Sequence, residues 1–573
     1  MRRATRTWNP MTEPPQMTWK SASPALLLLA LLLFLVVAPL AVLIGDALPK
    51  SAAELNALRE LLQAPPLQQA LLRTLAVALL ACGIASVIAI PVAFVAVRSG
   101  PITRTLISIL GFLPLTMPPF VAAAMLDRFA VVFNQTVLAS RLGELHVRGS
   151  EIALSLVFAA HFLPLILFSL MAGLSRIDRA YSETARTLGA GRLTVWGRIT
   201  LPLATPAYAA GAALMLLRIL DDLGAPLMLG VDQMLAPQIM LRLDGAGFSD
   251  PFLSVGALLL LGVSLVIATL AWSALLPWLE ARGTTQDHPV RWRTGNAVGL
   301  VAAPVAMGLG VLTLAPHLWL VLTSLGTSWS DELLPVGYSM VHYWQLSNET
   351  LPHLGTTLGY AAGVGILTLV IGGASGALTV RPGTVARLTR FAATAMFAIP
   401  GVVLALAYAR TQDLIGFGPA GWNGFGWLAL SLVVALKQLP FAQRLVAQAL
   451  RTLRHGELES ARNLGATRLE AWLRIGLPAL IGMIAGVFAL GFAAATMELS
   501  AVLLLIRDPH APLTLSMFRT LQTPATMGLG AAQGIILVGL AAAGLLMARA
   551  LLRRRTRVPS AIASHRQITR EEL

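Results

Sequence analysis

Residues 183–202 read ETARTLGAGRLTVWGRITLP, and residues 459–478 read ESARNLGATRLEAWLRIGLP. The two stretches are identical at 13 of 20 positions, whereas unrelated stretches of this length share roughly one or two residues. The offset of 276 residues that aligns them continues into the apolar flanks, where Pro164 matches Pro440. The sequence therefore contains an internal duplication.

The flanks of both copies are strongly apolar, and so is the chain as a whole. Hydrophobic residues make up 56% of the chain and charged residues 12%, with a mean hydropathy of +0.74. The run PALLLLALLLFLVVAPLAVLIG at 24–45 is long enough to cross about 30 Å of hydrocarbon as a helix. The alternating pattern of a membrane β-barrel is absent from the sequence. We predict an all-α polytopic membrane protein with about twelve transmembrane helices, at 25–45, 71–97, 105–126, 152–173, 203–229, 252–278, 298–324, 355–380, 390–410, 426–446, 479–505 and 527–551.

The duplication divides these helices into two sets of six. An even number of crossings gives both halves the same orientation, so the pattern predicts two parallel six-helix repeats related by an axis along the membrane normal. We place the first transmembrane domain at 1–285, a cytoplasmic linker at 286–297 and the second transmembrane domain at 298–573. The lone cysteine, Cys82, falls within the second helix and cannot form an intrachain disulfide, so we interpret it as a packing residue.

The net charge of +15 has a distribution typical of a membrane protein. The basic residues cluster before the first helix and in alternate loops, at 98–104, 176–198, 291–293, 381–390, 444–474 and 553–555. By the positive-inside rule, these loops and both termini are cytoplasmic, and no nucleic-acid partner is needed to explain the charge. Loops on the opposite side hold acidic residues such as Asp46, Asp331 and Glu332. The first apolar run is too long for a typical signal-peptide core, so we interpret it as a retained helix.

The duplicated stretch is too polar for lipid and lies in a predicted cytoplasmic loop. Residues 178–188 suit a short helix that Gly189 would end, since glycine tolerates positive φ. A second short helix, RLTVWGRI, would follow before Pro202 opens the next membrane span. Gly465 and Pro478 repeat this pattern in the second half. Two such motifs in one orientation predict a docking surface for a partner with two equivalent sites.

These loops resemble the EAA loop of the permeases of bacterial ATP-binding cassette (ABC) importers. The motif is Glu, a small residue, Ala, three more residues and Gly, followed later by Ile-x-Leu-Pro. The matching residues that we assign to ATPase coupling are Glu183, Ala185, Gly189 and Pro202, and Glu459, Ala461, Gly465 and Pro478. The small residue after each glutamate is Thr184 or Ser460, where the family has an alanine-like residue.

The resemblance covers nearly the whole chain and is strongest to fused two-half permeases such as ferric-iron and thiamine importers. It implies a type I importer in the bacterial inner membrane, with two copies of a cytoplasmic ABC ATPase and a periplasmic solute-binding protein as partners. The sequence has no phosphate-binding loop of the Gly-x-x-x-x-Gly-Lys-Ser/Thr type. We therefore expect no cofactor on this chain, with ATP and Mg on the partner ATPase, and no enzymatic activity of its own. Ferric iron is our first expectation for the solute, and thiamine, a phosphonate or another small solute remain alternatives.

Three charged residues within the predicted helices are candidates for a gate or solute path. Asp222 and Glu498 occupy equivalent positions near the outer ends of the fifth helices, and Arg218 lies four residues before Asp222, where an intrahelical ion pair is possible. A structural ion pair or a solvated helix end would explain Asp222 and Glu498 equally well. Lys437 matches His161 in the first half; it lines a cavity or extends its amine toward the membrane surface, whereas His161 suits packing.

Two other classes of protein fit the sequence less well. A secondary transporter also has twelve helices, but it would have no use for a repeated ATPase-docking loop. A membrane-embedded enzyme needs a convergent catalytic set, which the helices do not offer. No cluster of His, Cys, Asp and Glu has metal-ligand spacing, so we expect no metal site.

Overall fold

The computed structural model describes residues 19–280, 296–329, 333–380, 383–416, 425–453, 455–506 and 511–553. Several predictions fall outside these ranges: most of the linker, the pair at 331–332 and both basic termini. The domain boundaries therefore remain predictions.

The described residues form twenty-five α-helices, four short 3-10 turns, two π-helical segments and one two-stranded sheet. The α-helices are α1 Trp19–Ala47, α2 Ala52–Gln63, α3 Pro65–Arg98, α4 Pro101–Phe112, α5 Pro119–Asn134, α6 Val137–Leu142, α7 Glu151–Leu174, α8 Arg179–Thr187, α9 Arg192–Val195, α10 Leu201–Leu220, α11 Gly224–Leu229, α12 Leu235–Ala246, α13 Phe252–Glu280, α14 Asn296–Leu325, α15 Val341–Glu349, α16 Leu351–Val380, α17 Thr384–Ala395, α18 Gly401–Leu414, α19 Phe425–Thr452, α20 His455–Asn463, α21 Arg468–Ala471, α22 Leu477–Met497, α23 Ser500–Leu505, α24 Leu513–Gln522 and α25 Met527–Arg553. The 3-10 turns are Leu113–Thr116, Gly247–Ser249, Met396–Ala398 and Pro524–Thr526, the π segments are Trp196–Thr200 and Trp472–Gly476, and strands β1 Gly326–Ser328 and β2 Gly337–Tyr338 pair antiparallel.

The predicted all-α membrane fold is confirmed. Ten helices in the described ranges are long and apolar enough to cross a membrane, and two bent helix pairs bring the total to as many as twelve. The bent pairs replace the straight helices expected at 105–126 and 390–410. They join Pro101–Thr116 to Pro119–Asn134 at 91° and Thr384–Ala398 to Gly401–Leu414 at 98°.

Proline explains both bends. Pro118 and Pro400 lack the backbone N–H that would continue the helix, and each forces the preceding residue into an extended conformation. Met117 accordingly has φ −128° and ψ 139°, and Ile399 has φ −97° and ψ 111°. The chain therefore turns sharply at equivalent points of the two halves.

The first helix of each half packs against the opposite half. The α1 helix contacts α18, where the Tyr408 hydroxyl donates to the Leu35 carbonyl oxygen at 2.7 Å and Arg410 forms an ion pair with Asp46 at 2.5 Å. The α14 helix contacts α4 and α5, and Trp319 packs edge-on against Phe129. The two predicted domains therefore exchange their first helices.

Close contacts at small residues hold the remaining membrane helices together. An added Cβ at Gly211 of α10 would lie 2.7 Å from the Leu165 carbonyl oxygen of α7, and one at Gly376 of α16 would lie 2.6 Å from Val446 of α19. Small residues let backbones approach where lipid supplies no hydrophobic driving force between helices. Cys82 is buried in α3, as its packing role predicts.

Candidate functional site

Four interruptions of helical structure meet at the interface between the halves. Helix α10 stops at Leu220 before α11 begins, and α22 stops at Met497 before α23 begins. The start of α5 lies against the start of α11, and the start of α18 is bonded to Asp221 just after α10. The predicted spans 203–229 and 479–505 are therefore broken near their ends. Discontinuous helices that expose backbone groups at membrane depth are typical of solute pathways in transporters.

A buried lysine is shared by two carboxylates at this point. The Lys437 amine lies 2.7 Å from Asp221 Oδ2 and 2.9 Å from Glu498 Oε2, and the three side chains are 9–11% exposed. Lys437 and Glu498 belong to the second half, whereas Asp221 belongs to the first. The ion cluster, Lys437–Asp221–Glu498, therefore joins the two halves.

Backbone N–H groups satisfy the remaining carboxylate oxygens. Val402 N–H, at the start of α18, donates to Asp221 Oδ1 at 2.8 Å, and Ala501 N–H, at the start of α23, donates to Glu498 Oε1 at 3.0 Å. Such bonds stabilise ionised carboxylates, because the first N–H groups of a helix lack intrahelical partners. The cluster holds one positive and two negative side chains, and these N–H groups offset the excess negative charge.

Glycine makes room for the lysine. A Cβ on Gly401, the first residue of α18, would lie 2.6 Å from the Lys437 amine and 2.7 Å from its Cδ.

A hydrogen bond also crosses the interface between the halves: Leu223 N–H donates to Ser500 Oγ at 3.1 Å. The break after α10 is thus bonded to the break after α22.

The cluster departs from the internal repeat. At the 276-residue offset, Lys437 corresponds to His161 and Asp221 to Met497. His161 is buried and packs edge-on against Phe162 at 4.6 Å between ring centroids, as its packing role predicts. Only one of the two equivalent positions therefore carries the cation.

The structure changes several sequence-based interpretations of the charged residues. The extension of Lys437 toward the membrane surface is wrong, because the amine is enclosed by its two carboxylates. The Arg218–Asp222 pair does not form among the described residues, since α10 ends before Asp222. Asp222 Oδ1 instead accepts from Ala225 N–H at 2.8 Å. Asp221 was not among the residues predicted from the sequence, although the adjacent aspartates at 221–222 were a visible signal.

The predicted coupling loops have nearly the same geometry in both halves. A glycine with positive φ lies two residues after the end of α8 and of α20, with φ +86° at Gly189 and +96° at Gly465, as predicted. Ala190 N–H donates to the Ala185 carbonyl oxygen at 2.9 Å, and Ala466 N–H donates to that of Ala461 at 3.0 Å. With the bonds from the glycine N–H groups to Arg186 and Arg462, these form the Schellman motif that ends many helices.

Large apolar side chains are exposed on these loops. Leu188 and Leu464, which precede the two glycines, are 82% and 89% exposed, and the equivalent pair Leu193 and Leu469 is also exposed. Exposed apolar residues at matching positions of a polar loop are typical of a protein interaction surface. Glu183 and Glu459 are exposed on the same short helices.

The second short helix of each loop is continuous with the membrane span, contrary to the expected separate helix. A π-helical segment joins α9 to α10, and Leu201 N–H donates to the Trp196 carbonyl oxygen five residues earlier. Leu477 N–H bonds to Trp472 in the same way. The wider π turn accommodates Pro202 and Pro478, whose missing N–H groups interrupt the α-helical pattern.

No group of three or more His, Cys, Asp or Glu side chains in the described ranges could hold a metal ion.

Comparison with known proteins identifies the family. Residues 85–282 and 365–557 each match the binding-protein-dependent transport system inner membrane component. The chain belongs to this family. It is a fused two-half permease of an ABC importer, a transport protein of the inner membrane and not an enzyme.

Several curated relatives of the permease carry different solute names. The molybdenum transport system permease protein ModB of Mycobacterium tuberculosis is 32% identical over 228 residues, 38% of this chain and 83% of ModB. The ferric transport system permease protein FbpB of Actinobacillus pleuropneumoniae is 25% identical over 418 residues, 70% of this chain and 59% of FbpB. The molybdate/tungstate permease WtpB of Thermococcus kodakarensis is 27% identical over 189 residues, 33% of this chain and 71% of WtpB.

Proposed function

We propose that the two duplicated loops dock two copies of a cytoplasmic ATPase and transmit its movement to the membrane helices. The equivalent geometry of the loops carries this proposal: each has a glycine-capped helix, exposed leucines and an unbroken connection into α10 or α22. The ATPase binds ATP and Mg, and a periplasmic binding protein delivers the solute from the opposite side. Both termini and both loops then face the cytoplasm, as the basic residues favour.

The ion cluster serves as the gate in this scheme. It lies where helix breaks of both halves meet, and the buried Lys437–Asp221 pair ties the second half to the first. Glu498 of the second half holds the same amine from its other side. Opening a path between the halves requires that the contact to Asp221 separate. Asp222 and Glu498 keep the gate or solute-path role proposed from the sequence.

The solute is ferric iron in this proposal. Support comes from the alignment with FbpB, which extends over 418 residues and therefore includes both halves. A molybdate-like oxyanion is the second candidate, because ModB is more similar within the region that it matches. Uptake of radioactive ferric iron and of radioactive molybdate, each measured in cells that depend on this permease, separates the two: molybdate uptake without iron uptake would favour the oxyanion.

The coupling role has a direct test at Gly189 and Gly465. A non-glycine residue at positive φ costs about 1–2 kcal/mol, and a Cβ at either glycine meets no protein atom within 4 Å. The double Gly→Asp variant should therefore insert at normal abundance but lose both its ATPase on purification and its transport. Each single variant should be milder. The matched control is Gly191→Asp, since Gly191 lies in the same loop at negative φ and also has open space.

Retention of the ATPase and of wild-type import by the double variant would refute the coupling role of these loops. Loss of abundance would instead show a folding defect, which the control variant at 191 distinguishes from lost docking.

A further inference from the structure

A tyrosine hydroxyl is buried near the ion cluster without a hydrogen-bond partner. Tyr360 lies on α16, its side chain is 6% exposed, and its ring packs against Trp427 of α19 at 5.9 Å between ring centroids. The hydroxyl oxygen is shielded from water, and no group in the described ranges forms a hydrogen bond with it. Such a group costs free energy, because folding removes its bonds to water and supplies no replacement.

Hydrogen bonds on neighbouring helices place this hydroxyl beside Glu498. One turn before Tyr360 on α16, the Thr357 hydroxyl accepts from Leu513 N–H at 2.7 Å. The next residue of α24, Thr514, donates to the Glu498 carbonyl oxygen at 3.1 Å. Glu498 is close enough for its charge to act on the Tyr360 hydroxyl. The unpaired hydroxyl therefore lies on the second-half side of the ion cluster.

The first half has the same framework without the hydroxyl. Thr74 of α3 accepts from Leu235 N–H, the first residue of α12, at 2.9 Å, as Thr357 does from the first residue of α24. Three residues after Thr74 stands Val77, a buried residue without a polar side chain. As with the lysine of the ion cluster, only the second half carries the polar group.

We propose that the Tyr360 hydroxyl biases the gate toward opening, because it lacks a partner while the halves are in contact and gains water as a partner when they separate. This inference rests on the gate role proposed for the ion cluster. The Lys437–Asp221 contact holds the halves together, and the free-energy cost of the buried hydroxyl offsets part of that stabilisation. Removing the hydroxyl should therefore stabilise the closed gate and slow its opening.

Modification of a single cysteine measures opening without reference to any solute. Ser500 is 7% exposed at the interface between the halves, where it accepts from Leu223 N–H. Ser500→Cys in a Cys82→Ala background provides one thiol at this interface. The permease–ATPase complex in liposomes receives Mg and ATP, and modification by a small methanethiosulfonate reagent is followed with time. Tyr360→Phe should lower the modification rate about fivefold and raise the denaturant midpoint of unfolding.

Two control variants separate the gate from general packing. Thr368 of α16 is also buried with no hydrogen bond to its hydroxyl from the described residues, but it faces Gly491 of α22 within the second half. Thr368→Val should raise the midpoint without slowing modification. Tyr408→Phe removes a hydroxyl that donates to the Leu35 carbonyl oxygen, so it should lower the midpoint.

A wild-type modification rate in Tyr360→Phe would overturn the proposal, as would a lowered midpoint in that variant or equal slowing by Thr368→Val. Failure of the gate itself has a different signature. The thiol at position 500 of the protein with Tyr360 intact would then react no faster with Mg and ATP than without them, which would refute the gate and this inference together.

Discussion

Replacing Lys437 by Met should destabilise the permease strongly. At 2.7 and 2.9 Å, and with an effective dielectric constant of about 20, each ion contact supplies roughly 6 kcal/mol of Coulomb attraction. Desolvation of the buried ions offsets most of this gain. The variant loses the attraction but leaves Asp221 and Glu498 buried without their cation. We therefore expect a net loss of about 3–5 kcal/mol in the free energy of unfolding.

Neutral partners should restore most of this loss. The triple variant Lys437→Met, Asp221→Asn, Glu498→Gln removes all three charges, so it leaves no uncompensated buried charge, which is what makes the loss of one partner costly. His161→Met is the matched control at the equivalent position of the first half, where a smaller loss is expected because no ion pair is broken.

Unfolding of the detergent-solubilised permease, followed by tryptophan fluorescence against denaturant, measures these differences. Should Lys437→Met unfold like the wild type, or the triple variant be no more stable than Lys437→Met, the cluster would not contribute the buried ion contacts that the reasoning assumes. The gate role has a separate readout: the triple variant in liposomes should pass a small solute without ATP, whereas a tight barrier would contradict that role.

Three further predictions concern other parts of the molecule. Cysteine at Thr184 or Ser460, both exposed, should resist an impermeant thiol reagent added from the periplasmic side, and ready labelling would contradict the proposed orientation. Asp222→Asn should lower solute uptake while the ATPase stays attached, and unchanged uptake would reduce this residue to packing. Gly476→Ala should lower the free energy of unfolding of the permease by about 1–3 kcal/mol, since the added Cβ would lie 2.6 Å from the indole ring of Trp472. The control is Gly197→Ala, which lies in open space within the other π segment. It should leave the free energy of unfolding unchanged or slightly higher in the same assay.

The site was only partly predictable from local sequence. Glu498 and Lys437 were identified from the sequence because charge is costly among apolar residues. The positive φ of the glycines in the duplicated loops was also predicted, because each glycine follows a helical pattern that it would end. The sequence could not show that Lys437 pairs with Asp221, because these residues lie more than 200 positions apart and break the internal repeat. It also suggested Arg218 as a partner for Asp222, which assumed that α10 continues past Leu220.

The amino-acid sequence by itself determined the membrane class, the two halves and the duplicated loops at 183–202 and 459–478. These features follow from local composition, helical length and duplication, which need no knowledge of the tertiary contacts. Tertiary structure alone decided that α1 and α14 pack against the opposite half and that the interruptions after α10, after α22 and before α18 meet around Lys437. Each of these depends on which apolar surfaces pack together, and within a membrane nearly every helix face is apolar, so hydrophobic pattern does not distinguish one partner from another.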